Sequence, residues 1–192
     1  MQRFKTIVAD PPWPYNAPGQ FGCTLEHRPN RDTTLNKLGS GSRARYGAMT
    51  MTDICALKPA VHDDAHLYLW FTNSFAVEAH QVAEAWGFRP TTILTWTKIK
   101  PDGSPSMKMG YYFRGATEHV LFGVRGKLRL QTQKAFPTGY LWPRLPHSVK
   151  PDAFYALVEE VSPPEYLEMF ARSTRLGWSS WGDQVPEMSL SE

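Results

Sequence analysis

The stretch TIVADPPWPYN, Thr6 to Asn16, sets an acid, two prolines and a tryptophan directly after a short apolar run. Ile7, Val8 and Ala9 read as the end of a buried strand. Each proline removes an amide donor, and a residue that precedes proline is driven toward extended backbone, so Asp10 continues the strand while sheet pairing stops. The product is a carboxylate at a strand's carboxyl edge, then stiff backbone whose carbonyls lack neighbouring amides, then a large flat side chain. In an open α/β sheet that edge is where ligands bind. A plain turn needs an acid or a proline, but it does not need Asp-Pro-Pro-Trp in that order.

Outward from this stretch, helical and extended patterns alternate. Residues Pro14 to Arg45 read as a long irregular segment, and loops of that length in a compact domain are functional or disordered. A short helix is expected around TMTDICALKPAV, capped by Thr50 or Thr52. A buried strand, Ala65 to Thr72, follows. NSFAVEAHQVAEAWGF reads as a helix with Asn73 or Ser74 as cap, Phe75, Val77, Val82 and Trp86 near one face, and Gly87 as terminator. TTILTWTKIK and ATEHVLFGVRG are strand-like and flank the Gly/Ser/Lys segment KPDGSPSMKMGYYFRG. Lys127 to Val149 reads as a second long connection. Next come a helix in KPDAFYALVEEV with Pro151 near its first turn, a strand in EYLEMFAR and a short return in GWSSWGDQV. This alternation implies a three-layer α/β fold with a mostly parallel sheet and an antiparallel edge pair. A chain of 192 residues fits one domain, read as 1–186 with a flexible tail at 187–192.

The formal net charge of +3 permits a polyanionic partner without requiring one. Cys23 and Cys55 stand alone, so neither a disulfide framework nor a metal site is expected. No apolar run has the length of a membrane span or a signal-peptide core, and a cytoplasmic protein is expected. Neither a Gly-x-Gly-x-x-Gly turn nor a P-loop occurs, so side chains must hold any nucleoside ligand.

The motif DPPW, together with HSVKPD and LEMFAR...GWSSWGDQV, resembles the adenine aminomethyltransferases. That family includes the catalytic subunit of the eukaryotic messenger-RNA methyltransferase and its bacterial and phage relatives. YGAM, LYLWFT, LTWTKIK and YYFRGATEHVLFGV fall between the motifs in matching order, and the resemblance runs from the first strand to near Val185. It implies a Rossmann-like fold and S-adenosylmethionine as cofactor. The order, catalytic motif first and main cofactor strand last, also resembles the permuted class of DNA aminomethyltransferases.

The resemblance implies that Asp10, Pro11, Pro12 and Trp13 are catalytic. Adenine's amine is a poor nucleophile because its lone pair is delocalised into the ring. Asp10 is expected to accept one amine hydrogen, and the Pro11 carbonyl, left unpaired by the two prolines, the other. Trp13 is expected to offer a face to the extruded base. Asp10 and Lys150 are expected at the cofactor's reactive end, with Lys150 reaching its methionine portion or the target base, and Arg172, Asp183 and Gln184 at its nucleoside side. Thr174 and Arg175 stand where the messenger-RNA enzyme has histidine and asparagine. Glu168 either hydrogen-bonds the ribose, as in the permuted enzymes, or forms a surface pair with Arg172.

Tyr46, Trp96 and Glu118 fall on family positions around the target base, with Lys98 nearby. Trp96 equally suits the core, and Tyr46 suits loop packing. Arg28, Arg31, Arg43 and Arg45, with Lys98, Lys100, Lys108 and Arg114, are candidate phosphate contacts interleaved with Tyr111 and Tyr112. The expected reaction is methylation of adenine N6 in DNA by a bacterial or phage enzyme. RNA is the alternative substrate, and a silent nucleic-acid-binding subunit is the alternative from another class. A homodimer or a partner subunit is compatible with either.

Overall fold

The computed structural model describes residues 2–14, 49–109, 112–146 and 148–185. In these stretches lie strands β1 (Phe4–Ala9), β2 (Val61–Phe71), β3 (Arg89–Ile99), β4 (Thr117–Arg125), β5 (Gly139–Pro143), β6 (Tyr166–Met169) and β7 (Trp178–Trp181). Helices are α1 (Met51–Ala56), α2 (Ala76–Ala85) and α3 (Asp152–Val161). Arg28, Arg31, Arg43, Arg45, Tyr46, Tyr111 and the tail 187–192 lie outside the described residues.

One sheet holds the strands in the order β5-β3-β4-β2-β1-β6-β7. β1 pairs in parallel with β2 and β6, β6 with β7, and β3 with β5. β4 runs antiparallel to both β2 and β3. The antiparallel pairing expected at an edge is therefore inside the sheet, because the chain leaving β3 doubles straight back and is then covered by β2. The start of β4 consequently lies at the same edge as the carboxyl ends of its neighbours.

Side chains alternate across a strand, which sorts the core into two layers. Ile7, Ala9, Leu67, Leu69, Phe71, Leu121, Leu167 and Met169 pack with α1 and α2. Val8, Tyr68, Trp70, Trp96 and Val120 pack with Phe154, Tyr155, Val158 and Val161 of α3. Three layers result, a Rossmann-like α/β arrangement.

Local chemistry explains where the elements begin and end. Thr50 caps α1 in a reciprocal box with Asp53, whose amide donates to Thr50 Oγ1 at 3.1 Å. Gly87, at φ +83°, closes α2 by donating to the Glu84 carbonyl while Phe88 donates to Ala83, a turn that needs left-handed backbone. Neither Asn73 nor Ser74 caps that helix: both lie in a 3-10 turn, Asn73–Phe75, that leads into it. Val77, expected on the apolar face, is 68% exposed. The buried stripe holds the expected Val82 together with Ala79 and Ala83, whose small side chains let α2 approach the sheet closely.

The connection expected from Lys127 to Val149 contains β5. Five residues bounded by Gly139 and Pro143, paired on one side only, carry too little periodicity to stand out as a strand.

Candidate active site

The register determines which side chains meet. Val8 is aligned with both Tyr68 and Glu168, Trp70 with Val120, and Trp96 with Glu118. Asp10 lies two residues beyond Val8, Lys98 two beyond Trp96, and Glu118 two before Val120. By alternation, Asp10, Lys98, Glu118 and Glu168 all stand on the α3 face at one edge of the sheet. Lys150 enters from the segment leading into α3.

The Lys150 ammonium lies 2.9 Å from Asp10 Oδ2, 3.1 Å from Glu118 Oε2 and 4.3 Å from the centre of the Trp70 ring. Glu118 Oε1 accepts from Lys98, which lies over the Trp96 ring. Two acids and two ammoniums thus balance in a partly buried row. Burial acts to raise the Glu118 pKa, but Lys150 and Lys98 outweigh it and bring it down to about 2. Burial likewise disfavours charged Lys150, yet Asp10 and Glu118 more than compensate and its pKa rises. Lys98 is the weaker cation: burial lowers its pKa, and contact with Glu118 does not fully restore it.

Beside this row, the Tyr155 hydroxyl donates to Glu168 Oε1 at 2.6 Å. Burial raises the Glu168 pKa, with that hydrogen bond and Arg175 opposing it. The Arg175 guanidinium lies 3.7 Å from the centre of the Tyr155 ring, and its Nη2 is 2.6 Å from Asp152 Oδ1. Glu168 therefore takes a hydrogen bond from Tyr155.

Two expectations require correction, and for Trp96 the core alternative holds. The Pro11 carbonyl is not unpaired, since it accepts from the Trp13 amide at 2.8 Å across a tight three-residue turn, although its second lone pair remains available. Trp13 does not offer an open face. It is 4% exposed, stacks on Phe75 with ring centres 5.2 Å apart, and donates its indole N–H to the Trp70 carbonyl at 3.0 Å. Trp96 is equally buried, donates to the Trp142 carbonyl and serves as the floor beneath Lys98. The two tryptophans build the site from below.

Arg172 and Thr174 follow β6, Asp183 and Gln184 follow β7, and all four are exposed. A Cβ on Gly182 would lie 2.3 Å from the Ala171 carbonyl oxygen, so only glycine lets these two turns touch. The Ala171 amide donates to Trp181 O and locks them together, with Phe170 at φ +62° making the bend. Beside the acid-lysine row, a cleft of about 390 Å³ is lined by Lys98, Lys108, Glu118, Arg144, Leu145, Pro146, Ser148 and Val149. Arg144, Tyr155 and Trp70 are site residues that sequence reading missed. Alternation along LYLWFT was the available signal for Trp70, whereas Arg144 could be placed only once β5 was known.

A family model described as MT-A70 matches residues 4–184. The chain belongs to the MT-A70 family. It is 26% identical to the type II methyltransferase M.MunI of Mycoplasma sp, covering 98% of this chain and 81% of the relative. Identity is 30% to the N6-methyladenosine RNA methyltransferase MTA1 of Cryphonectria parasitica, over 95% of this chain and 52% of that protein. It is 23% to the human N(6)-adenosine-methyltransferase catalytic subunit METTL3, over 98% of this chain and 29% of that protein. The MT-A70 chain thus spans most of the first relative and about half or less of the other two.

MT-A70 methyltransferases use S-adenosylmethionine as methyl donor, and the family supports adenine N6 methylation of nucleic acid. The residues present suit that cofactor. Carboxylates at Asp10 and Glu168 and the buried ammonium of Lys150 offer both signs of charge, which complements a zwitterionic nucleoside. Among the described residues no group of three His, Cys, Asp or Glu is placed to hold a metal ion, and no helix is long and apolar enough to cross a membrane.

Proposed function

We propose that this chain transfers the methyl group of S-adenosylmethionine to the N6 amine of adenine in DNA. The observation that carries the reading is the fixed position of Asp10 at the end of β1, held through one oxygen by Lys150 beside a basic cleft. When bound, the cofactor would supply an electrophilic methyl on sulfur, and the carbon–sulfur electron pair would stay with sulfur as N6 bonds to carbon. Asp10 Oδ1, the oxygen that Lys150 does not engage, accepts one amine hydrogen and orients the nitrogen lone pair. The remaining lone pair of the Pro11 carbonyl accepts the second hydrogen. The proton released from the amine passes through Asp10 to solvent. Positioning and electrostatics supply the acceleration, without a covalent enzyme intermediate.

Glu118 and Lys98 line the cleft where the base edge enters. Glu168, presented by Tyr155, accepts from the ribose hydroxyls, and Arg172, Thr174, Asp183 and Gln184 hold the remaining nucleoside. The intact acid-lysine row disfavours a silent binding subunit. DNA is supported by the type II methyltransferase, the relative that this chain matches over most of its length. RNA is the second reading, because the most identical of the three relatives carries an RNA name.

The test is transfer of labelled methyl from the cofactor to DNA and RNA oligomers, followed by nucleoside analysis, with Asp10→Ala as matched control. The expected product is N6-methyldeoxyadenosine, reduced at least 100-fold in the control while the fold is kept. Label confined to RNA moves the reading to RNA. No label in either polymer, from protein that binds the cofactor, removes it.

A further inference from the structure

Among the described residues, Trp70 Nε1, Tyr140 Oη and Ser180 Oγ are buried side-chain polar atoms with no hydrogen-bond partner. Such atoms are rare in folded proteins, because a polar group taken out of water and left unpaired destabilises the fold. All three stand on the α3 face of the sheet. Trp70 belongs to the core there and Tyr140 packs against it. Ser180 lies two residues beyond Trp178, a member of the same core, and so points the same way. They differ in what stands beside them. Trp70 is aligned with Val120 and Tyr140 with Trp96, whereas Ser180 is aligned with Glu168.

The pair one step earlier shows how close that alignment brings two side chains. Tyr166 and Trp178, partners in the same ladder, stack with ring centres 4.6 Å apart. Glu168 and Ser180 repeat the relation two residues on. The backbone around Ser180 is held on both sides: Trp178 donates its indole N–H to Glu159 Oε1 at 2.7 Å, and Trp181 O accepts from the Ala171 amide at 2.9 Å. Only the hydroxyl is free to turn, about a single torsion. A small apolar residue fills a buried strand position as well as serine does, so packing gives no reason for a hydroxyl here. Glu168 gives one. An ionised carboxylate offers about four acceptor positions. Tyr155 takes one, at Oε1. Two ribose hydroxyls take two more, which leaves a place for one further donor.

We infer that Ser180 is a positioning residue for the cofactor site: its hydroxyl donates to Glu168 when that carboxylate receives the ribose, so that Tyr155 and Ser180 hold the acid together. The inference rests on the reading of Glu168 as ribose acceptor and deepens it. A hydroxyl that destabilises the free protein thereby adds affinity in the complex.

The experiment sets stability against binding. Without cofactor, Ser180→Ala should melt at the wild-type temperature or above it, since it loses a hydroxyl that has no partner. Calorimetry on the full chain should show this variant binding S-adenosylmethionine about tenfold more weakly, the effect of removing one donor from a charged acceptor. In a Glu168→Gln background, where a neutral amide has one acceptor oxygen for Tyr155 and the ribose, the same substitution should change affinity less than about twofold. A Ser180→Ala variant that melts well below the wild type shows that the hydroxyl already supports the fold, and overturns the inference. Unchanged affinity overturns it too, as does a tenfold loss that persists beside Glu168→Gln, because Ser180 then acts apart from Glu168. A wild type that binds no S-adenosylmethionine removes this inference and the proposed reaction together. Methyl transfer measured alongside separates the two: a wild type that binds the cofactor with Ser180 and Glu168 coupled, yet methylates no adenine, removes the reaction and leaves Ser180 in its role.

Discussion

The ammonium of Lys150 and the carboxylate of Asp10 are far apart in sequence and meet at 2.9 Å. Asp10 ends β1, while Lys150 precedes α3, and the packing of α3 over Val8, Tyr68 and Trp70 is what brings them together. Core packing on one face of the sheet thereby fixes the Asp10 carboxylate.

Lys150→Met should separate orientation from stability. Without the ammonium, Asp10 and Glu118 confront each other, and only Glu118 retains a cation, in Lys98. Breaking a buried pair costs about 3–5 kcal/mol, and the partial exposure of Asp10 reduces the cost here to about 2 kcal/mol. Urea denaturation should recover part of that loss in Lys150→Met/Glu118→Gln, while methyl transfer stays at least 100-fold down in both variants. Wild-type turnover in Lys150→Met would mean that Asp10 is oriented by something else.

Trp13 belongs to the core, so Trp13→Ala should cost about 3–5 kcal/mol, as expected for removing a buried aromatic ring. Trp13→Phe keeps the stack on Phe75 but leaves the Trp70 carbonyl without its donor, a loss of about 1–2 kcal/mol. Thermal melts test the order. If Trp13→Ala melts like the wild type and only nucleic-acid binding weakens, the ring serves the base and not the fold.

These two sites also show how far the sequence could be read. Asp10 was legible because the prolines dictate strand termination locally, and Thr50 and Gly87 because caps are chemistry within a few residues. Lys150, Glu118 and Glu168 were reached only through resemblance to a family. That resemblance named the residues, but it could not say that Glu118 lies between two ammoniums, because their meeting depends on the register of β3 with β4 and on α3. β5 stayed hidden for a related reason. An edge strand buries little, so it imprints little alternation, and the position of Arg144 stayed hidden with it. Trp13 was misassigned, and Trp96 stayed open between base and core, because a flat ring beside a motif looks the same in sequence whether it faces the ligand or the core.

Stability should fall in two steps on acidification. His66 is buried, with Nε2 donating to the Leu128 carbonyl and Nδ1 accepting from Ser162, whose oxygen accepts from Tyr68. Burial holds its pKa below the ordinary 6.5, so the unfolded chain binds the extra proton first. Its contribution is complete above about pH 6.5 and is lost as pH falls through the folded value. Glu118 gives the second step, between its ordinary 4.5 and about 2. Denaturation midpoints from pH 8 to 3 should show both, with Glu118→Gln flattening only the lower one. A midpoint that rises on acidification contradicts both assignments.

The last prediction concerns the Tyr155–Glu168 pair. Glu168 is pushed toward its protonated form by burial, and the Tyr155 hydroxyl at 2.6 Å is the first contact that restrains this. Only the carboxylate can accept from both ribose hydroxyls, so cofactor affinity should weaken as pH falls through the Glu168 value. Tyr155→Phe removes the restraint while keeping the ring under Arg175 and the α3 packing, so the Glu168 pKa rises further. The midpoint of cofactor affinity against pH should then move upward, with affinity at alkaline pH changed little because the carboxylate is charged there in either protein. Calorimetry with the cofactor across pH 5–9 reads this directly. Glu168→Gln, which cannot ionise, should lose the acid limb altogether and bind at a uniformly reduced level. If the midpoint stays where the wild type has it while affinity drops equally at every pH, Tyr155 acts through packing alone and Glu168 is not the ribose acceptor.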